Sequence, residues 1–294
     1  MLNLVTLAAV ASAQSFTVLD DHVLDGVSGP TVFHNGGQWV MLFEREVQPV
    51  GGCAEAWSVG SAISADGVHF TVTNRTFGPG AFSACGARAP AAVFTDDGHL
   101  VVAFESVQPD GSGHIAIIDN FSGRATIREV PEVAGLVKPT LARFDGTWRL
   151  MAVDPVLGLM IAEGPDLDSF VLDPVAAVWT GATPWSADGI ESASLGCVDD
   201  AGWPWEAYYG GWHGTESAWA WLISNADQDW YVSQPIQTWQ DDSAWSGFDF
   251  ASDGTRVAVY YDWVDTAGVS HVGVTVSGGG IPDTAQLRGR DCQP

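Results

Sequence analysis

Residues 136–155, "LVKPTLARFDGTWRLMAVDP", contain two short apolar runs separated by Asp145-Gly146. Asp-Gly between two such runs is a strong hairpin signal, because these residues accept a positive φ at low cost. The first run begins at Lys138, the only lysine of the chain, which directly precedes a proline. The stretch therefore predicts a β-hairpin with a single cation at its start.

Four further segments have the same layout. They are "SGPTVFHNGGQWVMLFERE" from Ser28, "ARAPAAVFTDDGHLVVAFES" from Ala87, "GIESASLGCVDDAGWPWEAYYGG" from Gly189 and "SAWSGFDFASDGTRVAVYYDW" from Ser243. Most are followed by a strand, a polar turn and another strand, and the unit recurs every 50 to 60 residues or so. Short strands repeating at this period predict an all-β, five-bladed β-propeller with four-stranded antiparallel blades. A two-sheet sandwich is the alternative, but it would not require five copies of the unit.

The last unit lacks an obvious fourth strand. The segment "SFTVL", residues 15–19, precedes the first unit and can fill that place. Such a closure joins the first and last blades and covers an exposed sheet edge. We expect residues 15–294 to form one propeller domain.

The first residues predict export. An apolar stretch ends in Ala11-Ser12-Ala13, so residues 1–13 resemble a signal peptide, although a buried first strand is an alternative. Four cysteines in an exported chain permit three disulfide pairings, of which we favour Cys53 with Cys85 and Cys197 with Cys292. The expected location is secreted or periplasmic.

The charge excludes several partners. A net charge of −25 repels nucleic acid and anionic lipid. No later segment is long and apolar enough to span a bilayer, and the chain is expected to be a monomer. The histidines and cysteines show no metal-binding spacing, and nucleotide and hydrolase motifs are missing, so no metal or cofactor is predicted.

The propeller fold predicts which residues share its axial face. The starts of the first strands and the ends of the second strands emerge there, where small ligands usually bind. Lys138 and Glu191 take equivalent places in neighbouring blades and should attract each other. The candidate ligand-binding residues are Arg88, Lys138, Tyr209, Trp212, Trp245 and Asp262.

The same segments carry a family resemblance. "GPTV", "KPTL", the G-x-W turns and "SVGSAISADGVHFT" are similar to patterns in the five-bladed propellers of glycoside hydrolase family 43 and its invertase-like and mannoside-phosphorylase relatives. The resemblance covers nearly the whole chain after residue 13. It implies that the partner is an oligo- or polysaccharide.

The resemblance also implies where catalytic carboxylates would lie. Gly29 stands in the place of the general base, Lys138 in that of an aspartate that tunes the acid, and Glu191 in that of the general acid. Two of three carboxylates are thus replaced, and a cation beside Glu191 favours its ionised form, which does not suit an acid. A shifted pair drawn from Asp25, Glu44, Glu105 and Asp154 remains open.

The sequence thus predicts a secreted, glycan-recognising propeller whose hydrolysis is lost or uses a rearranged carboxylate pair. One alternative is an active glycoside hydrolase. The other is a non-catalytic extracellular scaffold or protein-interaction propeller.

Overall fold

The computed structural model describes residues 16–80, 83–95, 97–121, 126–197, 205–224, 230–232, 237–239, 247–253, 255–284 and 291–292. Within 230–232, 237–239 and 291–292 only the backbone is described. The predicted signal peptide, residues 1–13, lies outside these ranges.

The chain forms a five-bladed β-propeller, as predicted. The first blade contains β2 (Ser28–His34), β3 (Trp39–Val47), β4 (Ala56–Ser64) and β5 (Thr71–Phe77). The second contains β6 (Gly86–Phe94), β7 (Leu100–Val107), β8 (Gly113–Asp119) and β9 (Thr126–Glu129). Neighbouring strands within each blade are antiparallel.

The third and fourth blades differ from the prediction at their outer edges. The third has β10 (Val137–Phe144), β11 (Thr147–Asp154) and β12 (Gly158–Gly164), and the fourth has β15 (Gly189–Cys197), β16 (Trp205–His213) and β17 (Glu216–Ser224). In place of a single fourth strand, two short strands pair with each third strand. These are β13 (Val171–Leu172) and β14 (Val178–Trp179) in the third blade, and β18 (Trp230–Val232) and β19 (Gln237–Trp239) in the fourth.

The fifth blade is completed from the amino-terminal end of the chain. It contains β20 (Phe248–Ser252), β21 (Val257–Val264) and β22 (Ser270–Ser277), and β1 (Thr17–Asp25) pairs antiparallel with β22. This confirms the closure predicted for "SFTVL", although the strand extends further, to Asp25. A last short strand, β23 (Asp291–Cys292), runs parallel to β10.

The core lies between the blades. Five apolar clusters of described residues fill the five seams between neighbouring blades. Trp39 and Tyr260, for example, are buried in the cluster between the first and fifth blades. Because each sheet buries both of its faces against its neighbours, the strands need large apolar side chains on both sides.

The turns follow the predicted chemistry. Asp145 and Gly146, between β10 and β11, have φ values of 47° and 76°. A disulfide joins Cys53 to Cys85, with their Cα atoms 5.6 Å apart, which confirms that pairing. Cys197 is also disulfide-bonded, and its predicted pairing with Cys292 falls on a side chain outside the described residues.

Candidate functional site at the propeller axis

The innermost strands of three blades begin with the same backbone irregularity. Gly29, Ala89 and Lys138 each precede a proline and have φ values of +54°, +47° and +51°. The pairing register with the second strand shifts at each of these places. A bulge of this kind turns a side chain out of the regular alternation of a strand. These three bulges lie at the starts of the innermost strands, next to the propeller axis.

A cavity of about 300 Å³ lies where these strand starts meet. Its polar and charged lining includes Glu44, Arg88, Glu105, Lys138 and Ser192, and its aromatic lining is Trp57 and Phe248. Ser192 is buried, and its Oγ has no hydrogen-bond partner among the described residues. The cavity therefore combines charged groups, an unsatisfied hydroxyl and apolar ring surface, and its volume is at the lower end of the range for small-ligand sites.

Glu44 fills the space beside Gly29. A Cβ atom added to Gly29 would lie 3.0 Å from the Cδ atom of Glu44, closer than ordinary van der Waals contact. The Glu44 carboxylate accepts a hydrogen bond from the Ala89 amide at 2.5 Å and another from the Ser28 hydroxyl at 3.1 Å. Its carboxyl group is thus held where a side chain at position 29 would otherwise project.

The environment of Glu44 favours its protonated form. Loss of hydration raises the pKa of its carboxyl group above the ordinary value for glutamate, and the charge of Asp262 raises it further. The Ala89 amide, the Lys138 charge and the Ser28 hydroxyl act in the opposite direction, but the net direction is upward. A carboxyl group with a raised pKa is suited to donating a proton.

Lys138 and Glu191 form an ion pair. The Nζ atom of Lys138 donates to Oε1 of Glu191, which joins the third blade to the fourth. Both side chains keep some exposure, 29% for Lys138 and 26% for Glu191. The pair is therefore open to solvent, and Lys138 lines the axial cavity, whereas Glu191 is its ion-pair partner next to the lining residue Ser192.

Arg88 and Glu105 form a second ion pair in the cavity wall. The Nη2 atom of Arg88 lies 2.6 Å from Oε1 of Glu105, whose side chain is only 2% exposed. A Cβ atom on Gly113 would collide with the Glu105 carboxyl group, so the glycine makes room for it. Glu105 is thus a buried anion that orients Arg88.

Two buried aspartates hold the seams around the cavity. Asp262 accepts hydrogen bonds of 2.7 Å from the amides of both Gly29 and Gly247. Asp249, on β20, accepts from Thr31 Oγ1 at 3.0 Å, from the Val32 amide at 2.6 Å and from the Ser194 hydroxyl. These carboxylates position the first, fourth and fifth blades relative to one another.

Several other candidates lie away from the cavity lining. Asp25 is on the outermost strand of the fifth blade, beside His22 and His271. Asp154 ends β11 and accepts from the amides of Val156 and Leu157, which is a turn-forming role.

The aromatic candidates have packing roles or lie outside the described residues. Tyr209 is fully buried, its ring centroid is 5.0 Å from that of Trp185, and burial raises its pKa to about 12. Trp212 packs over Gly189, where a Cβ atom would overlap the indole ring. Trp245 lies outside the described residues.

Sequence reasoning missed four residues of this region. Trp57, Phe248 and Ser192 line the cavity, and Asp249 ties its seams. A usable signal existed for Asp249, because a single charge between Phe248 and Phe250 in an inner strand must be buried and needs partners. Trp57 and Ser192 carried no comparable signal.

The described residues include no helix long and apolar enough to cross a membrane. The Cys53–Cys85 disulfide is consistent with an extracellular or periplasmic protein, because such bonds persist in oxidising compartments.

Comparison with solved structures supports the fold. The chain is similar to a thermostable family-43 glycoside hydrolase, with a TM-score of 0.65 and 14% identity, over 94% of this chain and 98% of that one. It is similar to a glycosyl hydrolase from Bacteroides ovatus, with a TM-score of 0.61 and 13% identity, over 90% of this chain and 87% of that one.

A third similar structure is from the GH130 family of mannoside phosphorylases, which contains glycoside hydrolases that target β-1,2 mannosidic linkages in Candida mannan. The TM-score is 0.59 at 13% identity, over 88% of this chain and 86% of that one. No family model and no curated protein matches the sequence. At these identities the comparisons show the five-bladed propeller fold and a resemblance to glycoside hydrolases.

Proposed function

We propose that this chain is an exported propeller that binds the end of a glycan in its axial cavity and hydrolyses it with a rearranged carboxylate pair, Glu44 and Glu191. The observation that carries the proposal is the position of Glu44, whose carboxyl group occupies the space of a side chain at residue 29. In the family that the sequence resembles, that place holds a catalytic carboxylate.

The two carboxyl groups have environments suited to opposite roles. Glu44 has a raised pKa, so it can hold a proton and donate it to the leaving glycosidic oxygen. Glu191 is oriented by its ion pair with Lys138, and in this proposal it accepts the proton from the attacking water. In this scheme water adds to the anomeric carbon, the glycosidic bond breaks, and one carboxyl group gains the proton that the other loses. The roles are reversed relative to those that the resemblance implies.

The remaining lining supports a sugar ligand. Trp57 and Phe248 offer apolar ring surface for the C–H face of a sugar, and the unsatisfied Ser192 hydroxyl offers a partner for a sugar hydroxyl. Arg88, oriented by Glu105, adds further donors. The small volume favours the end of a chain over an internal stretch.

Hydrolysis tests the catalytic part of the proposal. The wild type, Glu44→Gln and Glu191→Gln are incubated with a panel of plant and yeast polysaccharides that includes mannan, and reducing ends are counted. We expect release by the wild type and a loss of about 10²- to 10⁴-fold in each variant, because each removes one proton-transfer group. Asp154→Asn is the matched control, since this carboxylate forms a turn, and its rate should not change.

Binding is measured separately by calorimetry on the same panel. Glu44→Gln and Glu191→Gln should still bind the sugar, whereas Ser192→Ala should bind it more weakly. If no polysaccharide binds to the wild type, the carbohydrate assignment is wrong. If Glu44→Gln hydrolyses as fast as the wild type, Glu44 is not the acid.

A non-catalytic glycan-binding or scaffold propeller is the second candidate. The Lys138–Glu191 ion pair favours it, because an ion pair across two blades also serves to hold the third and fourth blades together. It predicts that the wild type releases no sugar, and that Lys138→Met lowers the free energy of unfolding.

A further inference from the structure

A second group of polar side chains lies at the outer edge of the fifth blade. His22 and Asp25 are on the closing strand β1, and His271 is on β22, to which that strand pairs. Asp25 Oδ1 lies 3.0 Å from His22 Nδ1 and 2.7 Å from His271 Nδ1. Each residue offers a ligand atom, and these three atoms lie within 4.8 Å of one another.

The backbone of the closing strand is irregular in a way that builds this cluster. In a regular strand, residues three apart point to opposite faces, so His22 and Asp25 could not meet. The register between β1 and β22 shifts between Asp20 and Leu24, on either side of His22. A bulge re-aims a side chain, and this one brings His22 onto the side of Asp25 and His271.

The surroundings fix the orientation of His271. Its Nε2 atom lies 3.2 Å from Asp265 Oδ2, and its ring stacks on Trp263 with centroids 4.7 Å apart. The Trp263 Nε1 atom in turn donates to the Asp21 carbonyl at 2.9 Å. A carboxylate that accepts from one ring nitrogen leaves the other nitrogen free to bind a metal, and this is the arrangement that supports most metal-binding histidines.

We propose that His22, Asp25 and His271 form a zinc site that fastens the closing strand to the fifth blade. Two imidazoles and one carboxylate are the ligand types that Zn²⁺ accepts, whereas Ca²⁺ and Mg²⁺ prefer oxygen ligands alone. His22 and Asp25 are exposed, so the ion and a water molecule as fourth ligand can reach the site.

The position of the site gives it a consequence for the whole fold. Two ligands come from β1 and one from β22, so a bound ion connects the closing strand β1 to the strand of the fifth blade with which it pairs. Metal that binds only the folded state stabilises it by an amount that grows with the logarithm of its free concentration above the dissociation constant. The proposal is independent of sugar binding, because none of the three ligands lines the axial cavity.

Calorimetric titration with Zn²⁺ tests the site on the intact, metal-stripped protein. We expect one ion per chain, and at least a 100-fold loss of affinity in His22→Ala and in Asp25→Asn, since each removes a ligand. Asp265→Asn should lose about 10-fold, because it removes only the group that orients His271. Zn²⁺ should raise the thermal midpoint of the wild type and leave that of His22→Ala unchanged.

His69→Ala is the matched control. His69 and Asp66 form an exposed pair at 2.7 Å, three residues apart as His22 and Asp25 are, so their contact has the same chemistry. His69→Ala should bind Zn²⁺ as the wild type does. His22 is exposed, so loss of folding does not explain a lost signal in its variant, and circular dichroism checks this. Absence of Zn²⁺ binding by the wild type, or equal binding by His22→Ala, would overturn the proposal.

Discussion

Glu44 is the side chain on which the candidate site depends most. Burial raises the pKa of its carboxyl group, so the folded protein holds this proton to a higher pH than the unfolded chain does. Stability linked to this group is fully present below the ordinary glutamate pKa and is lost as the pH rises through that value towards the raised one. At neutral pH the free energy of unfolding is therefore lower than it would be with an uncharged side chain at this position.

Glu44→Gln should remove that cost. Glutamine keeps an oxygen that can accept from the Ala89 amide and has no charge to bury. We expect the free energy of unfolding of the variant, relative to the wild type, to rise as the pH increases above the ordinary glutamate pKa, because only the wild type has an ionisable group at this position. Denaturant unfolding at a series of pH values measures this difference. Parallel curves for the two proteins would contradict it.

Gly29 and Glu44 should also be energetically coupled. Gly29→Asp places a Cβ atom against the Glu44 carboxyl group at a residue with a positive φ, so the single variant should be destabilised. In a Glu44→Ala background the collision is removed and the cost should be smaller. A double-mutant cycle by denaturant unfolding should give a coupling energy of about 0.5 to 3 kcal/mol. Additive effects would mean that the two groups do not share one space.

The bulges at the strand starts carry backbone strain. Ala89 has a φ of +47°, a conformation that costs a residue with a Cβ atom about 1 to 2 kcal/mol. Ala89→Gly should therefore stabilise the protein by about 0.5 to 1 kcal/mol, after the entropy cost of glycine. Ala92, on the same strand, is buried and does not have a positive φ, so Ala92→Gly should destabilise it. Thermal unfolding of both variants tests the opposite signs.

The bulges are a feature of the fold that the sequence did not predict. The repeated hairpins predicted the propeller, its closure and the approach of Lys138 to Glu191, because those depend on period and pairing alone. The strand register was harder. Ala89, not the predicted ligand-binding residue Arg88, has the backbone conformation equivalent to that of Lys138, and Arg88 pairs with Glu105 in the cavity wall.

The position of Glu44 beside Gly29 could not be read from the sequence, because it combines a register shift on one strand with a side-chain conformation on the next. The cluster of His22, Asp25 and His271 was hidden for a similar reason. His271 is far from His22 and Asp25 in the chain, and the irregularity in β1 that brings His22 to the other two has no glycine or proline to signal it.

The blades are held as a ring by buried carboxylates as well as by apolar seams. Asp249 accepts from donors on the first and fourth blades through different oxygens, Oδ2 and Oδ1. Asparagine has only one accepting oxygen, so Asp249→Asn should cost about 1.5 to 3 kcal/mol of unfolding free energy. Asp154→Asn is the control, because both of its donors bind Oδ1 alone and can be kept. Equal effects would mean that Asp249 is not a tie between blades.

Substitutions on the closing strand β1 test whether all five blades unfold in one cooperative transition. Val23, on β1, is 7% exposed and belongs to the apolar cluster between the fifth and first blades, whereas Val18 on the same strand is 51% exposed. Val23→Ala removes two buried methyl groups, so it should lower the global unfolding free energy by about 1.5 to 3 kcal/mol, while Val18→Ala should change it little.

This result is expected only if β1 stays paired with β22 until the whole propeller unfolds. If the strand separates first, Val23→Ala will increase hydrogen exchange in β1 and β22 and leave the global transition unchanged. Denaturant unfolding combined with hydrogen exchange therefore distinguishes a cooperative ring from a propeller whose closure opens on its own.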